Sequence, residues 1–537
     1  MEQGEAACPF EARTAISLGW HPVPVEASMI RSGVALISVF LVSACAAPAN
    51  APDQVREPAP VRSGTDREFP GVDLIREADV RRDLFALAGD AMRGREAGTI
   101  DELRASGWVA ERAREAGLEP AGEDGTYFQW FTLRRTRQST SSRIAIDGAA
   151  LELWRDVSVL GLSDATIDAP ITWIDAATAA DSTGPSLAGT VAAVVLDGSD
   201  APPAEDALAA RRWIGQAPQR LARPLLARGA AAVLIVSDAQ ADRLFELGAT
   251  NTLRGRYAID DGGPARGPAR SDQPVLVIRN SWSDRIRSAS HFTGRFAIDA
   301  FDYPSVNVVA RVPGTDAALR GEYVLFSAHQ DHDGVRAAIA GDSIWNGADD
   351  NATVAVAVLA IGRAWAQQPG RRSALFVWHG AEEKGLFGSR WHSAHPRVPK
   401  ESIVAVLNCD MIGRNAPDTA ALMGSIPPHR NSTDLVDMAI QANDRVTRFA
   451  IDSTWDRPDH PEGWYFRSDH LPYARERVPA LFFSSNLHPD YHTPRDNPDR
   501  IDTDKVTRIA RWMYATGWLV ANTTERPRID PGFRLER

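Results

Sequence analysis

The sequence predicts an α/β protein in which a mixed, mostly parallel central sheet is flanked by helices and carries an inserted small β-rich domain. After about residue 303, short buried apolar runs alternate with long helical patterns, as in a sheet covered on both faces. Between about residues 140 and 290, short β-rich runs alternate with Gly, Pro, Asp and Ser. The 537 residues suffice for two or three packed domains.

Composition excludes several classes of protein. With 44% hydrophobic and 24% charged residues, the chain is neither disordered nor a protein that spans membranes repeatedly. Asp and Glu number 70 against 59 Lys and Arg, a net charge of -11, so we expect no nucleic-acid partner. Cys8, Cys45 and Cys409 are too far apart to indicate a disulfide framework.

The start of the chain predicts export. Residues 33–42 form a short apolar core of the length that signal peptides use. Leu41 to Cys45 resembles a bacterial lipobox, which makes Cys45 the lipid-bearing mature N-terminus and the only membrane contact. An ordinary secretory signal, cut near Ala47 or Ala49, is the alternative. We therefore expect either a cell envelope lipoprotein or a secreted protein.

These patterns divide the chain into six segments. We predict an upstream extension with signal peptide (1–44), a flexible tether rich in Ala, Pro and charge (45–70), the N-terminal part of the main domain (71–140), the inserted domain (141–295), the larger part of the main domain (296–525) and a C-terminal tail (526–537).

Each predicted element has a local signal. Apolar residues at helical spacing from Val80 to Leu118 predict two helices, separated by a loop at 92–99 that contains two glycines. Residues 223–236 predict a helix, a glycine that ends it and then a buried strand. In the main domain we predict strands at 323–328, 374–378, 403–408 and 480–484 and a helix at 354–365.

His, Asp and Glu residues follow the predicted strands in five separate segments. Because the carboxyl ends of parallel strands meet at one edge of a sheet, we expect these side chains to converge. Two imidazoles and three carboxylates form a mixed nitrogen and oxygen set that suits zinc. The five candidate ligands are His329, Asp349, Glu383, Asp410 and His492.

A bridging carboxylate would turn this set into a two-metal hydrolytic site. If Asp349 bridges, each ion gains one His, one terminal carboxylate and one shared oxygen, and a water molecule completes both ions. A further carboxylate must then take the proton of that water, and Glu382 is the candidate for this base.

The five segments, in this order, resemble the co-catalytic di-zinc aminopeptidase family, which also includes glutamate carboxypeptidase and the glutaminyl cyclases. The resemblance spans about Asp83 to Asp502. It implies a zinc-exopeptidase fold, two Zn²⁺ per chain and a peptide substrate. The inserted domain resembles the protease-associated domain of several exopeptidases.

The same resemblance implies a role for each residue. It places His329 and Asp410 on one zinc, Glu383 and His492 on the other, Asp349 between them, and Glu382 as general base. Three further residues have supporting roles. Asp331 orients His329, Tyr491 hydrogen-bonds the oxyanion, and Arg467 contacts substrate or product. We also expect a cis peptide bond between Asp349 and Asp350.

Three alternatives to an aminopeptidase stay open. A glutaminyl-peptide cyclase of the same superfamily relies on one zinc, and a carboxypeptidase uses the other end of the peptide. A catalytically silent envelope binding lipoprotein would lack ligands that are all present here. No Gly-Xaa-Ser-Xaa-Gly elbow occurs and Cys409 lies inside a predicted strand, so covalent hydrolysis has little support.

Overall fold

The computed structural model describes residues 68–259 and 270–537. The predicted signal peptide, the lipid attachment at Cys45 and nearly all of the tether lie outside these residues and stay predictions. Phe69 is fully buried in the core. The packed chain therefore begins before residue 71, which is where we expected the main domain to start. No helix in the described ranges has the length and apolar character needed to cross a bilayer.

Helices and strands alternate along the chain. The N-terminal part contains α1 (Glu77–Leu87), α2 (Ile100–Glu115), β1 (Glu119–Pro120) and β2 (Phe128–Gln138). The middle part contains β3 (Arg143–Ile146), β4 (Ala149–Leu151), β5 (Val157–Leu160), β6 (Leu162–Ser163), β7 (Thr166–Trp173), α3 (Ala176–Ala179), β8 (Val191–Leu196), α4 (Ala207–Ala227), β9 (Ala232–Ser237), α5 (Phe245–Arg254), β10 (Arg256–Ile259), β11 (Arg270–Ser271), β12 (Val275–Ile278), α6 (Ser283–Ser288) and β13 (His291–Arg295).

The remaining elements belong to the larger part of the main domain. They are β14 (Ile298–Val312), β15 (Tyr323–His329), β16 (Gly334–Ile339), β17 (Asp342–Trp345), α7 (Thr353–Gln367), β18 (Ser373–His379), α8 (Phe387–Ala394), β19 (Ile403–Cys409), β20 (Thr419–Met423), α9 (Thr433–Val446), β21 (Ala450–Asp452), α10 (His470–Arg475), β22 (Ala480–Ser484) and α11 (Thr503–Asn522).

The main sheet has the order β10-β2-β14-β18-β15-β19-β22-β20-β21, and β1 also pairs with β14. Strands β18, β15, β19 and β22 are parallel, while β14 and β20 pair antiparallel at either side of them. The predicted mixed α/β sheet is therefore confirmed, and its parallel pairs are those of the four central strands and the pair of β20 with β21.

Both faces of this sheet are covered. Helices α1, α2, α7 and α11 pack together on one face, whereas α8 and α10 contact each other and the opposite face. All seven residues of β18 and of β19 are buried. Double coverage explains why these strands read as continuous apolar runs rather than as alternating patterns.

A second sheet, of eight strands, lies within the predicted insertion. Its order is β4-β3-β13-β7-β8-β9-β12-β5, and α4 packs against β8 and β9. The predicted helix, glycine and strand are confirmed, because α4 ends at Ala227, Gly229 has a φ of 90° and β9 begins at Ala232. Its assignment as a protease-associated domain stays a prediction. We name this sheet and its helices the inserted module.

The inserted module is joined to the main domain by more than its two connections. Strand β10 pairs with β2 of the main sheet, and α5 contacts both β2 and β16. Arginines of α4 and α5 thereby reach the loops at the carboxyl ends of the central strands.

A buried arginine fixes the same loops from the N-terminal side. Arg95 is fully buried and donates to the carbonyl oxygens of Gln330 (2.7 Å), Asn346 (2.6 Å) and Gly347 (2.8 Å). A Cβ at neighbouring Gly94 would lie 2.3 Å from the carbonyl oxygen of Trp345. The glycine-containing loop that the sequence indicated at 92–99 is therefore a close contact between segments.

Candidate metal centre

Three neighbouring parallel strands end at the candidate site. His329 is the last residue of β15, Asp410 directly follows β19, and a short helical turn after β18 carries Glu382 and Glu383. His492 reaches the same edge from the loop after β22. The residues that follow the predicted strands therefore lie at one edge of the sheet.

The first group of facing side chains surrounds the Nε2 atom of His329. This nitrogen lies 3.6 Å from Asp410 Oδ2 and 3.8 Å from Glu382 Oε2. The ligand atoms of these three residues lie within 4.8 Å of one another, and all three side chains are buried.

The second group contains His332, Asp350, Glu383 and His492. His492 Nε2 lies 2.9 Å from Asp350 Oδ2 and 3.2 Å from Glu383 Oε2. His332 Nδ1 lies 2.7 Å from Glu383 Oε1. We missed His332 in the sequence, although it stands three residues after His329 in the same segment.

The carboxylate of Asp350 faces both groups. Its Oδ1 atom lies 3.4 Å from His329 Nε2, and its Oδ2 atom lies 2.9 Å from His492 Nε2. One carboxylate with its two oxygens turned toward two imidazoles has the arrangement of a bridging ligand.

Asp349, which we expected to bridge, points away from this cluster. Its Oδ1 atom accepts hydrogen bonds from the backbone N–H groups of Ile412 (3.0 Å) and Gly413 (2.6 Å). Its Oδ2 atom lies 3.4 Å from His488 Nε2. Asp349 therefore holds the loop that follows Asp410, and the expected bridging position was wrong by one residue.

The backbone explains this shift. Asp349 and Asp350 stand in a tight turn before α7 in which Asp350 has non-helical dihedral angles, φ -104° and ψ 92°. The two side chains consequently leave on different sides. The cis peptide bond lies between Asp350 and Asn351, one residue after the position we expected.

Two further features hold this turn. Asp496 accepts hydrogen bonds from the backbone N–H groups of Asp349 (2.9 Å) and Asp350 (3.1 Å). Gly347 has a φ of 57°, and a Cβ there would lie 2.2 Å from His332 Cγ. Only glycine permits this close approach.

Asp331 supports the site differently from our expectation. Its carboxylate accepts hydrogen bonds from the backbone N–H groups of Glu382 (3.0 Å) and Glu383 (3.3 Å). His329 Nδ1 is closer to the main-chain oxygen of Asp331, at 3.1 Å, than to its carboxylate, at 3.8 Å. Asp331 therefore fixes both the imidazole and the turn after β18.

Tyr491 and Arg467 lie together beside the cluster. Arg467 donates to the Tyr491 hydroxyl oxygen at 2.9 Å and to Glu462 at 3.1 Å. The Tyr491 ring lies 3.9 Å from that of His492, centre to centre. Burial raises the pKa of Tyr491 to about 12, so its phenol keeps a proton to donate.

A carboxylate that the sequence analysis did not identify contacts the second ring nitrogen of His492, Nδ1. Asp333 Oδ2 lies 3.0 Å from His492 Nδ1 and accepts a hydrogen bond from Arg211 of α4 at 2.7 Å. Arg211 Nη1 lies 2.6 Å from the same imidazole nitrogen. Of these two neighbours of His492 Nδ1, only the Asp333 carboxylate can accept a hydrogen bond from the imidazole. An imidazole that donates from Nδ1 to Asp333 keeps its Nε2 lone pair for a metal.

Burial and neighbouring charge together shift the pKa values of the clustered side chains. Burial raises the pKa of Glu382 well above its usual range. Burial is the largest single influence and lowers the pKa of His492, but Glu383, Tyr491 and Asp350 together outweigh it and raise that pKa to about 10. Protonated imidazoles thus supply positive charge that stabilises the neighbouring carboxylates.

The donor set fits metal ions. The Nε2 atoms of His329 and His492 are buried, and none of their contacts with the described residues has hydrogen-bond geometry. Both nitrogens face carboxylate oxygens, and imidazole with carboxylate is a set that zinc accepts. A divalent cation would replace the protons that balance the charge in its absence.

Another cavity, of about 800 Å³, lies on the inserted module and includes residues of β3, β4 and β7. It contains no group of metal-ligating side chains found among the described residues. We therefore assign the chemistry to the cluster and not to this larger cavity.

Fold and cluster together define an α/β protein with a candidate metal site at the carboxyl ends of its parallel strands. Residues 307–517 match the model of Peptidase family M28, and all the clustered His, Asp and Glu residues fall in this range. Over this region the chain is similar to peptidase family M28.

Curated relatives are similar over part of their length. Leucine aminopeptidase 1 of Ajellomyces capsulatus is 26% identical over 243 residues, 42% of this chain and 60% of that protein. Leucine aminopeptidase 1 of Penicillium rubens is 24% identical over 261 residues, 44% and 63% of the two proteins. The chain thus spans less than two thirds of these relatives.

Solved structures share the fold over most of the chain. An aminopeptidase from Aneurinibacillus sp. strain AM-1 has a TM-score of 0.52 and 16% identity, covering 87% of this chain and 98% of its own. A zinc aminopeptidase from Bacillus subtilis has a TM-score of 0.53 and 15% identity, covering 87% and 100%. At these identities the likeness shows the fold.

The two adjacent aspartates give opposite expectations for metal binding. Asp350→Ala removes a ligand atom, so we expect zinc affinity to fall by more than the roughly 10–100-fold that loss of a supporting group costs. Asp349→Asn keeps an oxygen for the Ile412 and Gly413 amides and should retain zinc. Equilibrium dialysis, with circular dichroism as a check of folding, measures both. Zinc loss in Asp349→Asn with retention in Asp350→Ala would restore our original assignment.

Asp333 should act on the metal through His492. Asp333→Asn weakens the hold on the Nδ1 proton, and we expect zinc affinity to fall by about 10–100-fold. The matched control is Asp342→Asn, which alters an exposed carboxylate at the start of β17. Competition with a chromogenic chelator gives the affinities, and equal values for the two folded variants would contradict this role.

Proposed function

We propose that this protein is a zinc-dependent exopeptidase, an aminopeptidase that removes residues from the N-terminus of peptides with two zinc ions per chain. One observation carries the proposal: the two oxygens of the Asp350 carboxylate face two separate imidazoles, His329 and His492, at 3.4 and 2.9 Å. The family match and the curated leucine aminopeptidases support the reaction class.

The proposed ligands divide into two sets. His329 and Asp410 would hold one ion, Glu383 and His492 the other, and Asp350 would contact both. When bound, such a pair of ions polarises the scissile carbonyl group and lowers the pKa of the attacking water. His332, beside Glu383, keeps that carboxylate in place.

Glu382 is the proposed general base. Its carboxylate is buried and lies 3.8 Å from His329 Nε2, at the margin of the first group. The Asp331 carboxylate holds the backbone N–H of Glu382 and so fixes the direction of its side chain. From this place Glu382 takes a proton from water and passes it to the departing amine.

Tyr491 is the proposed donor to the oxygen that gains negative charge. The Arg467 guanidinium donates to the phenol oxygen, which leaves the phenol proton available for substrate. A donor held in advance stabilises developing charge without reorganisation. Arg467 is therefore a positioning residue for Tyr491 in this proposal.

A substrate panel with metal removal tests the proposed function. We expect aminoacyl p-nitroanilides and unblocked peptides to be hydrolysed, chelation to abolish this activity, and about two zinc equivalents per chain to restore it. N-acetylated peptides should resist. Cleavage of N-blocked peptides from the C-terminus would indicate a carboxypeptidase. Cyclisation of N-terminal glutamine with one zinc would indicate a cyclase, and inactivity with every substrate would favour a binding protein.

The role of Glu382 predicts a separation of metal binding from turnover. Glu382→Gln preserves shape and removes the base, so kcat should fall by roughly 10²–10⁴-fold while zinc content stays unchanged. Glu322→Gln, altered at the other end of the sheet where Glu322 binds Arg372, is the control. Wild-type turnover in the zinc-loaded Glu382→Gln enzyme would refute the assignment.

A further inference from the structure

A strongly basic cavity adjoins the candidate metal centre. It has a volume of about 450 Å³, and Glu383, a proposed zinc ligand, forms part of its wall. We name it the basic pocket. Its other charged or aromatic lining residues are Arg254, Arg256, Tyr257, Arg336 and Lys384.

The basic groups come from both parts of the protein. Arg254 and Arg256 stand at the end of α5 and the start of β10, whereas Arg336 lies on β16 and Lys384 directly follows Glu383. The side chains of Arg254, Arg336 and Lys384 are only 11%, 9% and 7% exposed. Arg256 is exposed at the rim.

The neighbouring carboxylates do not balance these cations. Glu96 lies 3.2 Å from Arg254 Nη2 and 3.3 Å from Lys384 Nζ, so one carboxylate serves two cations. Asp333 pairs with Arg336, lies 3.9 Å from Arg254 and also pairs with Arg211 at 2.7 Å. Arg254 Nη1 is buried without a hydrogen-bond partner in the described chain.

Glu383 does not remove the excess, because its carboxylate faces His332 and His492 in the metal cluster. Arg211, Arg254, Arg336 and Lys384 therefore share the carboxylates of Glu96 and Asp333. The last three of these cations line the partly buried basic pocket. Cations in such a space are stable only with opposite charge close by. An anionic group entering the pocket would supply that charge.

We infer that the basic pocket binds a carboxylate of the peptide substrate, so that the enzyme favours peptides with a negative charge next to the scissile bond. The inference rests on the proposed function and adds a substrate class to it. Because Glu383 belongs to both places, a peptide at the metal centre has the pocket within reach of a neighbouring residue. Arginine pairs with carboxylates through two parallel hydrogen bonds, which gives geometric selectivity as well as attraction.

The carboxylate has two chemical sources. It is either an acidic side chain or the free C-terminus of a dipeptide. Both place the same group at a short distance from the cleaved bond. Isosteric substrate pairs separate them, because an amide replaces the carboxylate without changing shape.

The first experiment uses the zinc-loaded wild-type protein. We compare kcat/KM for Glu-p-nitroanilide with Gln-p-nitroanilide, for Ala-Glu-amide with Ala-Gln-amide, and for Ala-Ala with Ala-Ala-amide. At least one pair should favour the carboxylate by about tenfold, the effect of one charged hydrogen bond, and that pair identifies the source. The preference should shrink at high ionic strength. Ratios within twofold for all three pairs would overturn the inference.

The second experiment assigns the preference to the pocket. Arg256→Gln and Arg256→Glu alter an exposed rim residue, so the fold should persist, and the carboxylate-to-amide ratio should fall in that order. Arg311→Gln is the control, since Arg311 is exposed near the end of β14, beside the start of β18 and opposite the metal centre. A ratio unchanged in both Arg256 variants would overturn the assignment.

The two levels of the argument fail separately. Hydrolysis of neutral and acidic peptides at equal rates would overturn the inference and leave the proposed function intact. No hydrolysis of any peptide by the zinc-loaded protein would overturn the proposed function and the inference with it.

Discussion

Carboxylates gathered where water is excluded are the constraint on which this structure depends. Asp350, Glu382 and Asp410 are at most 9% exposed and approach the same imidazole nitrogen of His329 within 3.8 Å. Buried acids repel one another and lose hydration, so they persist only beside positive charge. Protonated imidazoles provide part of that charge, and divalent cations suit the remaining lone pairs. A divalent cation at the candidate metal centre would therefore stabilise this end of the sheet.

The loops that carry these acids are held by other acids. Asp331 accepts from the amides of the turn that carries Glu382, Asp349 from the amides after Asp410, and Asp496 from the amides of Asp349 and Asp350. Each supporting carboxylate binds backbone N–H groups of a segment that supplies a candidate ligand. The positions of the candidate ligands are therefore fixed by hydrogen bonds between these supporting carboxylates and the main chain of the loops. Without such bonds, loops are mobile.

The inserted module takes part in the same centre. Arg211 of α4 pairs with Asp333, which lies against the Nδ1 atom of His492, and Arg254 of α5 reaches Glu96 and Asp333. These contacts bring positive charge to the open side of the cluster, where the basic pocket lies. The proposed chemistry and the proposed selectivity for carboxylates thus depend on both parts of the chain.

The sequence by itself determined the α/β class and the positions of the four central strands, because buried strands and helices leave periodic patterns that need only local residues. It also determined that His329, Glu382, Glu383, Asp410 and His492 meet, since side chains that follow parallel strands share one edge. Tertiary structure alone decided between Asp349 and Asp350, because adjacent aspartates look alike until a turn sends them to opposite sides. It alone revealed Arg211 and Asp333 beside His492, since contacts across 122 and 281 positions leave no local pattern.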